Sequence, residues 1–195
     1  MKKNILVLSF LLAFVLIAQL SFAAVYEIDK AHSTIGFAVK HLVVSTVRGQ
    51  FNDYVGTIDF DKDNLAVSHA DVIVQAASIN TANEKRDNHL RTGDFFDAER
   101  NPTITFKSKS ITQVGSDYAI TGDLTIRGVT KEITIPVSIA GPVANPSGGT
   151  AIGLTGEATI NRQDFGVSWN KALDAGGVVV SDEVTLVIEI EAHGK

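Results

Sequence analysis

YAITGDLTIRGVTKEITIPVSI, residues 118–139, is the stretch from which the fold can be read. Tyr118, Ile120, Gly122, Leu124 and Ile126 fall on one side of an extended chain, and Thr121, Asp123, Thr125 and Arg127 fall on the other. After a turn at Gly128, Ile133, Ile135, Val137 and Ile139 repeat the pattern against Glu132, Thr134 and Ser138. Side chains alternate faces along a strand, so two period-two runs around a glycine predict antiparallel strands with one wet face. Pro136 has no N–H for a ladder and is expected at an outward or edge position.

Working outward, Val184, Leu186, Ile188 and Ile190 alternate in the same way against Thr185, Glu189 and Glu191. Ser33–Lys40, Val55–Phe60, Ala66–Ala76, Thr103–Lys109 and Ala151–Asn161 bring the strands to about eight. Such strands hide their apolar faces either between two sheets or inside one closed sheet, and closure removes unpaired edges. The expected fold is therefore all-β, an eight-stranded antiparallel barrel whose interior is filled by side chains or holds one ligand. Gly122, Gly156 and Ala158 on the inward faces imply either spare volume or close packing.

Ser78–Asn101, SINTANEKRDNHLRTGDFFDAERN, interrupts the alternation and reads as a short helical excursion around residues 80–98. Thr81 with Glu84 fits a capping box, Gly93 suits a left-handed residue after the helix, and Pro102 closes the segment. Leu90, Phe95 and Phe96 would pin it across the barrel surface. GPVANPSGG, within residues 141–150, reads as an exposed loop.

At the start, Lys2 and Lys3 precede an apolar run from Ile5 to Leu20 and a small-residue exit, Ser21-Phe22-Ala23. That layout predicts a signal peptide over residues 1–23, cut after Ala23, with the domain occupying residues 24–195 outside the cytoplasm. No positively charged flank follows Leu20 to stop transfer, so the remaining chain is not expected to stay in a membrane. Removing Lys2 and Lys3 takes 17 basic residues to 15 against 22 acidic ones, and the formal charge from −5 to −7. An acidic chain of this kind is a poor candidate for nucleic acid or for anionic membrane surfaces. The chain has no cysteine, which excludes disulfides, thiolate metal sites and a cysteine nucleophile.

The sequence supplies little for catalysis. There is no Gly-x-Ser-x-Gly elbow, no His-Glu-x-x-His pair and no glycine-rich loop between a strand and a helix. Asp87, His89 and Asp94 cluster locally, but their position around a helix is explained by capping and loop hydrogen bonds. No catalytic residue, metal site or cofactor is assigned. Arg48, Arg86, Arg91, Arg127 and Arg162 each offer a guanidinium that could meet an anionic head group at a barrel mouth, although exposed ion pairing is the ordinary role of each. Phe165 and Trp169, in NRQDFGVSWN, could plug one barrel end or line a ligand tail.

Four segments carry a resemblance: YEIDKAHSTIGFAVKHLVVSTVRGQF, SINTANEKRDNHLRTGDFFDAERNPTITFKS, GDLTIRGVTKEITIPV and NRQDFGVSWN, in this order between Tyr26 and about Ala192. RDNHL followed by DFFD and NP is the most specific part. The chain resembles the YceI-like, polyisoprenoid-binding, lipocalin-like family. The resemblance implies a lipocalin-like barrel with a helical excursion, a long apolar channel, periplasmic or secreted placement, and an isoprenoid or other long-chain amphiphilic lipid as ligand. Some relatives form dimers, so a homodimer is one assembly it implies. Arg86, Asp87, His89, Asp94 and Asp97 match the family motif and are read as structural before head-group binding. The turn at Asn170 to Gly177 departs from the pattern and would reshape one mouth.

The expected function is a carrier without chemistry. Its tail-contact candidates are Phe37, Val39, Phe106, Ile120, Leu124, Leu154, Phe165 and Trp169, and its weaker head-group candidates are Arg48, Arg86, His89 and Arg127. The alternative is a secreted, stress-related interaction module with a packed barrel and a protein partner. An open apolar channel of several hundred Å³ would favour the carrier and a filled interior the module.

Overall fold

The computed structural model describes residues 23–171 and 179–194. The expected leader up to Phe22 and most of the turn from Asn170 to Gly177 lie outside the described residues. In chain order the strands are β1 (Ala24–Ile28), β2 (Thr34–His41), β3 (Ser45–Phe51), β4 (Tyr54–Phe60), β5 (His69–Gln75) and β6 (Ile79–Asn80). The helix α1 (Glu84–Arg91) follows, then β7 (Thr103–Val114), β8 (Asp117–Ile126), β9 (Val129–Ala144), β10 (Thr150–Asn161) and β11 (Val180–Gly194).

Residues 118–139 form the expected hairpin, with β8 and β9 in register from Tyr118↔Val137 to Ile126↔Val129. Its wet face is held by cross-strand pairs: Thr121 with Thr134, Thr125 with Thr130, and Lys109 with both Asp123 and Glu132. All pairings are antiparallel, and β11 pairs with β10 on one side and with β1 and β2 on the other, which closes the sheet. β1 and β2 share one position in the ring, β3 and β4 the next, β5 and β6 a third. Eleven segments therefore build a closed eight-position barrel. Among the described residues, every strand of the barrel lies between Ala24 and Gly194.

Side-chain to backbone bonds hold the chain where the broken strands bend. Asp29 Oδ1 accepts from the Ala31 N–H between β1 and β2, and Ser78 Oγ accepts from the Asp53 N–H where β3 gives way to β4 and β5 to β6. The strand expected over Ala66–Ala76 starts later, because Leu65–Val67 forms a turn of 3₁₀ helix. Gly141–Ala144 continues β9 where a loop was expected, leaving only residues 145–149 as the turn.

Pro136 meets both expectations. It is exposed on the outer face, and the β9–β10 ladder ends beside it at Gly156↔Val137, so β9 has a local edge there. The small inward residues mark close packing: a Cβ on Gly122 would lie 2.5 Å from the Lys107 carbonyl oxygen, and one on Gly156 would lie 2.7 Å from that of Pro136.

The core divides between the two ends of the barrel. Tyr26, Phe60, Ile111 and Ile152 belong to one cluster, and Phe51, Ile79, Phe95, Ile126 and Phe165 to the other. The helical excursion packs onto the second cluster through Leu90, Phe95 and Phe96, so it covers a barrel end. Its capping differs from the sequence reading. Asn83 is the N-cap and accepts from the Arg86 N–H, while Thr81 turns inward, where its N–H and hydroxyl both donate to the buried Asp87 carboxylate. Thr92, in extended conformation, ends the helix, and the left-handed residues are Ala82 and Asp97; Gly93 is not among them.

Candidate functional site

Between the two clusters lies a partly open, apolar interior cavity of about 200 Å³. Phe37 and Val39 of β2, Phe106 of β7, Ile120 and Leu124 of β8, Leu154 of β10 and Val184, Leu186, Ile188 and Ile190 of β11 line it, all from the inward positions of their strands. From Val184 to Ile190 is six residues at about 3.3 Å each, or roughly 20 Å. A modest volume spread over that length is a slot, and it is smaller than the several hundred Å³ that would favour the carrier over a packed barrel. Phe37, Val184, Leu186 and Ile188 remain half-buried although they point inward, because the slot faces them in place of packed atoms.

Seven of the eight tail-contact candidates border this slot: Phe37, Val39, Phe106, Ile120, Leu124, Leu154 and Phe165. Trp169 does not. Its half-buried ring lies 5.2 Å from Phe95 and 5.2 Å from His89, in the cover over the barrel end.

The four head-group candidates are not brought together. Arg86 donates to the hydroxyl and carbonyl oxygens of Thr81, and Arg127 donates to the Phe95 carbonyl, so both fasten the excursion. His89 pairs with Asp94 at 2.7 Å. Arg48 borders a second concavity, about 570 Å³, shared with Thr34, Gln50, Asn80, Glu157 and Glu189. That concavity is larger but more open and mixed in polarity, so it desolvates an apolar tail less well than the apolar slot.

Exposed ion pairing, the ordinary reading for each arginine, fails for Arg162. It is 5% exposed and is the one charged residue on the slot wall among the described residues. Its guanidinium donates to the carbonyls of Val167, Trp169, Ser181 and Val180 and to the Asp182 carboxylate. Burial pulls its pKa down, the Asp182 charge opposes that, and an arginine remains protonated regardless. All five N–H donors are engaged, which makes Arg162 a clamp between residues 167–169 and β11. In sequence it sits in a polar turn after a strand, where only the tertiary fold supplies its partners.

The acidic and histidine groups also gather differently from the local cluster at Asp87, His89 and Asp94. Side-chain ligand atoms of Asp29, Glu191 and His193 lie within 4.8 Å of one another at the β1–β2 break. They are engaged in pairs, His32 Nδ1 with Asp29 Oδ2 at 2.6 Å and His193 Nε2 with Glu191 Oε1 at 2.7 Å. The bond to Asp29 raises the His32 pKa above the usual 6.5, and the same bond, helped by the Ala31 N–H, lowers that of Asp29 below 3.8. His32 therefore contributes stability that is complete below about 6.5 and lost as pH rises through its folded pKa, whereas the Asp29 contribution is present above about 3.8 and lost as pH falls through its own. NMR titration is expected to place His32 above 6.5 and to return it toward that value in Asp29→Asn. A His32 that titrates identically in both proteins would show that the pair does not form in solution.

The sequence profile of the YceI-like domain matches residues 26–192. The chain belongs to the YceI-like family. A UPF0312 protein of Staphylococcus aureus strain N315 is 39% identical over 160 residues, covering 82% of this chain and 91% of the relative. Among solved YceI-like structures, a Campylobacter jejuni YCEI protein is 39% identical, with a TM-score of 0.69 over 86% of this chain and 96% of that one. A polyisoprenoid binding domain from Saccharophagus degradans shares the fold at 17% identity, with a TM-score of 0.65 over 89% of this chain and 99% of that domain.

Proposed function

We propose that this YceI-like protein is a carrier that works outside the cytoplasm, in the periplasm or after secretion, and takes the tail of a polyisoprenoid or other long-chain amphiphilic lipid into its barrel without changing it chemically. The observation that carries the reading is the interior slot, bordered by apolar side chains with Arg162 as the single charge among the described residues. Among the described residues on its wall none offers a nucleophile or a general acid or base, which supports binding over catalysis. The ligand named for the Saccharophagus domain points in the same direction, and the leader-like residues 1–23 support the location.

The energetics are adequate for a slender tail. Burying a methylene is worth about 0.8 kcal/mol, so ten of them contribute roughly 8 kcal/mol against an association cost of about 4 kcal/mol or more. The narrowness of the slot is what favours the rival, an interaction module whose barrel is essentially packed. Native mass spectrometry of protein purified from its own cells, followed by lipid analysis, separates them. The expected result is a stoichiometric long-chain amphiphile. Ligand-free protein that also refuses added polyprenyl lipids and fatty amphiphiles would establish the module instead.

A further inference from the structure

The turn joining β2 to β3 breaks two rules at once. Leu42, Val43 and Val44 are 37%, 73% and 84% exposed, three consecutive apolar side chains at the tip of a hairpin. Leu42 and Val43 also hold φ of 52° and 63°, the left-handed region that an L residue with a bulky or β-branched side chain disfavours. The turn closes through the Val44 N–H to the His41 carbonyl, and the Leu42 N–H donates to the Val179 carbonyl. Asn-Gly is the pair that such a turn favours, because both residues accept positive φ and both suit water. Here the chain accepts backbone strain in order to hold apolar side chains outward.

The position of this tip gives the exposure a use. Val39 and Val180 border the slot, His41 pairs with Val180, and the tip begins one residue beyond. Lys40 and Lys171 flank it, exposed and without an ion-pair partner among the described residues; of the acids on the adjoining part of β11, Asp182 is engaged by Arg162 and Gln163 and Glu183 is exposed. On a chain whose overall charge is negative, these two lysines are the cations at the tip that can meet lipid phosphates. Apolar residues flanked by lysines dock at the boundary between head groups and acyl chains.

We propose that the β2–β3 tip is a bilayer-docking element: Leu42, Val43 and Val44 enter the acyl boundary of an anionic membrane, and Lys40 and Lys171 meet its phosphates. Docking sets the slot end at Val39 and Val180 against the membrane, so a lipid tail passes from bilayer to barrel with little exposure to water. The inference extends the carrier reading, which supplies its purpose, but docking is measured without cargo.

Residues 24–194 contain the whole closed barrel, so the chain from Ala24 to Lys195 is the protein to test, free of the apolar leader. Flotation with vesicles of phosphatidylcholine and phosphatidylglycerol at three to one is expected to carry the wild type upward. The triple variant Leu42→Asn, Val43→Gly, Val44→Ser is expected to bind at least tenfold less, with a thermal midpoint no lower than wild type because the turn now has residues suited to it. Uptake of a fluorescent long-chain amphiphile from cyclodextrin, with no vesicles present, reads the slot separately. The variant should retain uptake; a wild type that floats but takes up nothing would sink the carrier reading and leave docking intact. Wild type that stays with the soluble fraction, or a variant that floats equally well, overturns the docking proposal. So does wild-type self-association that the variant abolishes without any vesicle binding, which would assign the tip to a second copy of the chain.

Discussion

Arg162→Met is expected to destabilise the protein by about 3 kcal/mol, the larger part of it from carbonyls left without donors. Methionine approximates the length of the side chain and keeps its apolar packing, so the change isolates the polar bonds. The guanidinium reaches the carbonyls of Val167 and Trp169 on one side and of Val180 and Ser181 on the other, plus the Asp182 carboxylate. A buried acceptor that loses its donor costs about 1–3 kcal/mol, and access to water near Trp169 and Asp182 relieves most of the five acceptors, so the total is that of one or two fully buried ones. For a domain of this length the midpoint of thermal unfolding should fall by roughly 6–12 °C. Arg162→Lys keeps the charge, but a single ammonium cannot span both segments and should recover only part of the loss. Urea unfolding curves for the two variants provide the measurement, and a loss below about 1 kcal/mol in Arg162→Met would mean that the clamp carries little of the stability.

Arg162 also shows where sequence reading stops. Its neighbours in NRQDF suggest a wet turn, and its partners come from residues 167–169 and 180–182, one group across a tight turn and the other across the start of the last strand. Alternation was readable wherever a strand ran unbroken. It gave the β8–β9 hairpin and, through the inward positions, seven residues of the slot wall. The breaks in the barrel were harder to see because they rest on long-range bonds, such as the Ser33 hydroxyl donating to the Glu191 carbonyl and accepting from the Glu191 N–H, 158 residues away. Local pattern also misassigned the helix start. Thr81 and Glu84 have capping-box spacing, but Asp87 draws Thr81 into a buried network and leaves the cap to Asn83. Trp169 lies past the end of β10, where period-two facing no longer applies, and it packs into the cover. The expected strands leave 41–54 between them, since the apolar run Leu42-Val43-Val44 breaks the alternation, yet Ser45–Phe51 completes a hairpin with Thr34–His41.

A carboxylate or a plug inside the slot should separate binding from folding. Leu124 is 6% exposed and forms part of the wall, so Leu124→Asp places an ionisable group where neither water nor a donor is at hand. A lipid tail entering that slot must desolvate the carboxylate or force it to take a proton, and the expected loss of affinity is 100-fold or more, which corresponds to about 2.7 kcal/mol. The same substitution weakens the cluster of Phe51, Ile104 and Phe165, so lost binding alone would not distinguish an emptied site from a loosened fold. Val184→Phe avoids that ambiguity. Val184 is half-buried, borders the slot and pairs with Val39, so a phenyl ring fills space left open for a ligand. Overpacking of a filled core costs about 1–3 kcal/mol, whereas growth into a void costs less and adds apolar contact. The plugged variant is therefore expected to unfold at or near the wild-type denaturant concentration while binding a polyprenyl or fatty amphiphile at least tenfold more weakly. Calorimetric titration beside urea unfolding reads both quantities. If both variants bind as the wild type does, the tail does not occupy the slot. If Val184→Phe binds normally and Leu124→Asp does not, the tail lies along the wall at Leu124 and leaves the space beside Val184 unused.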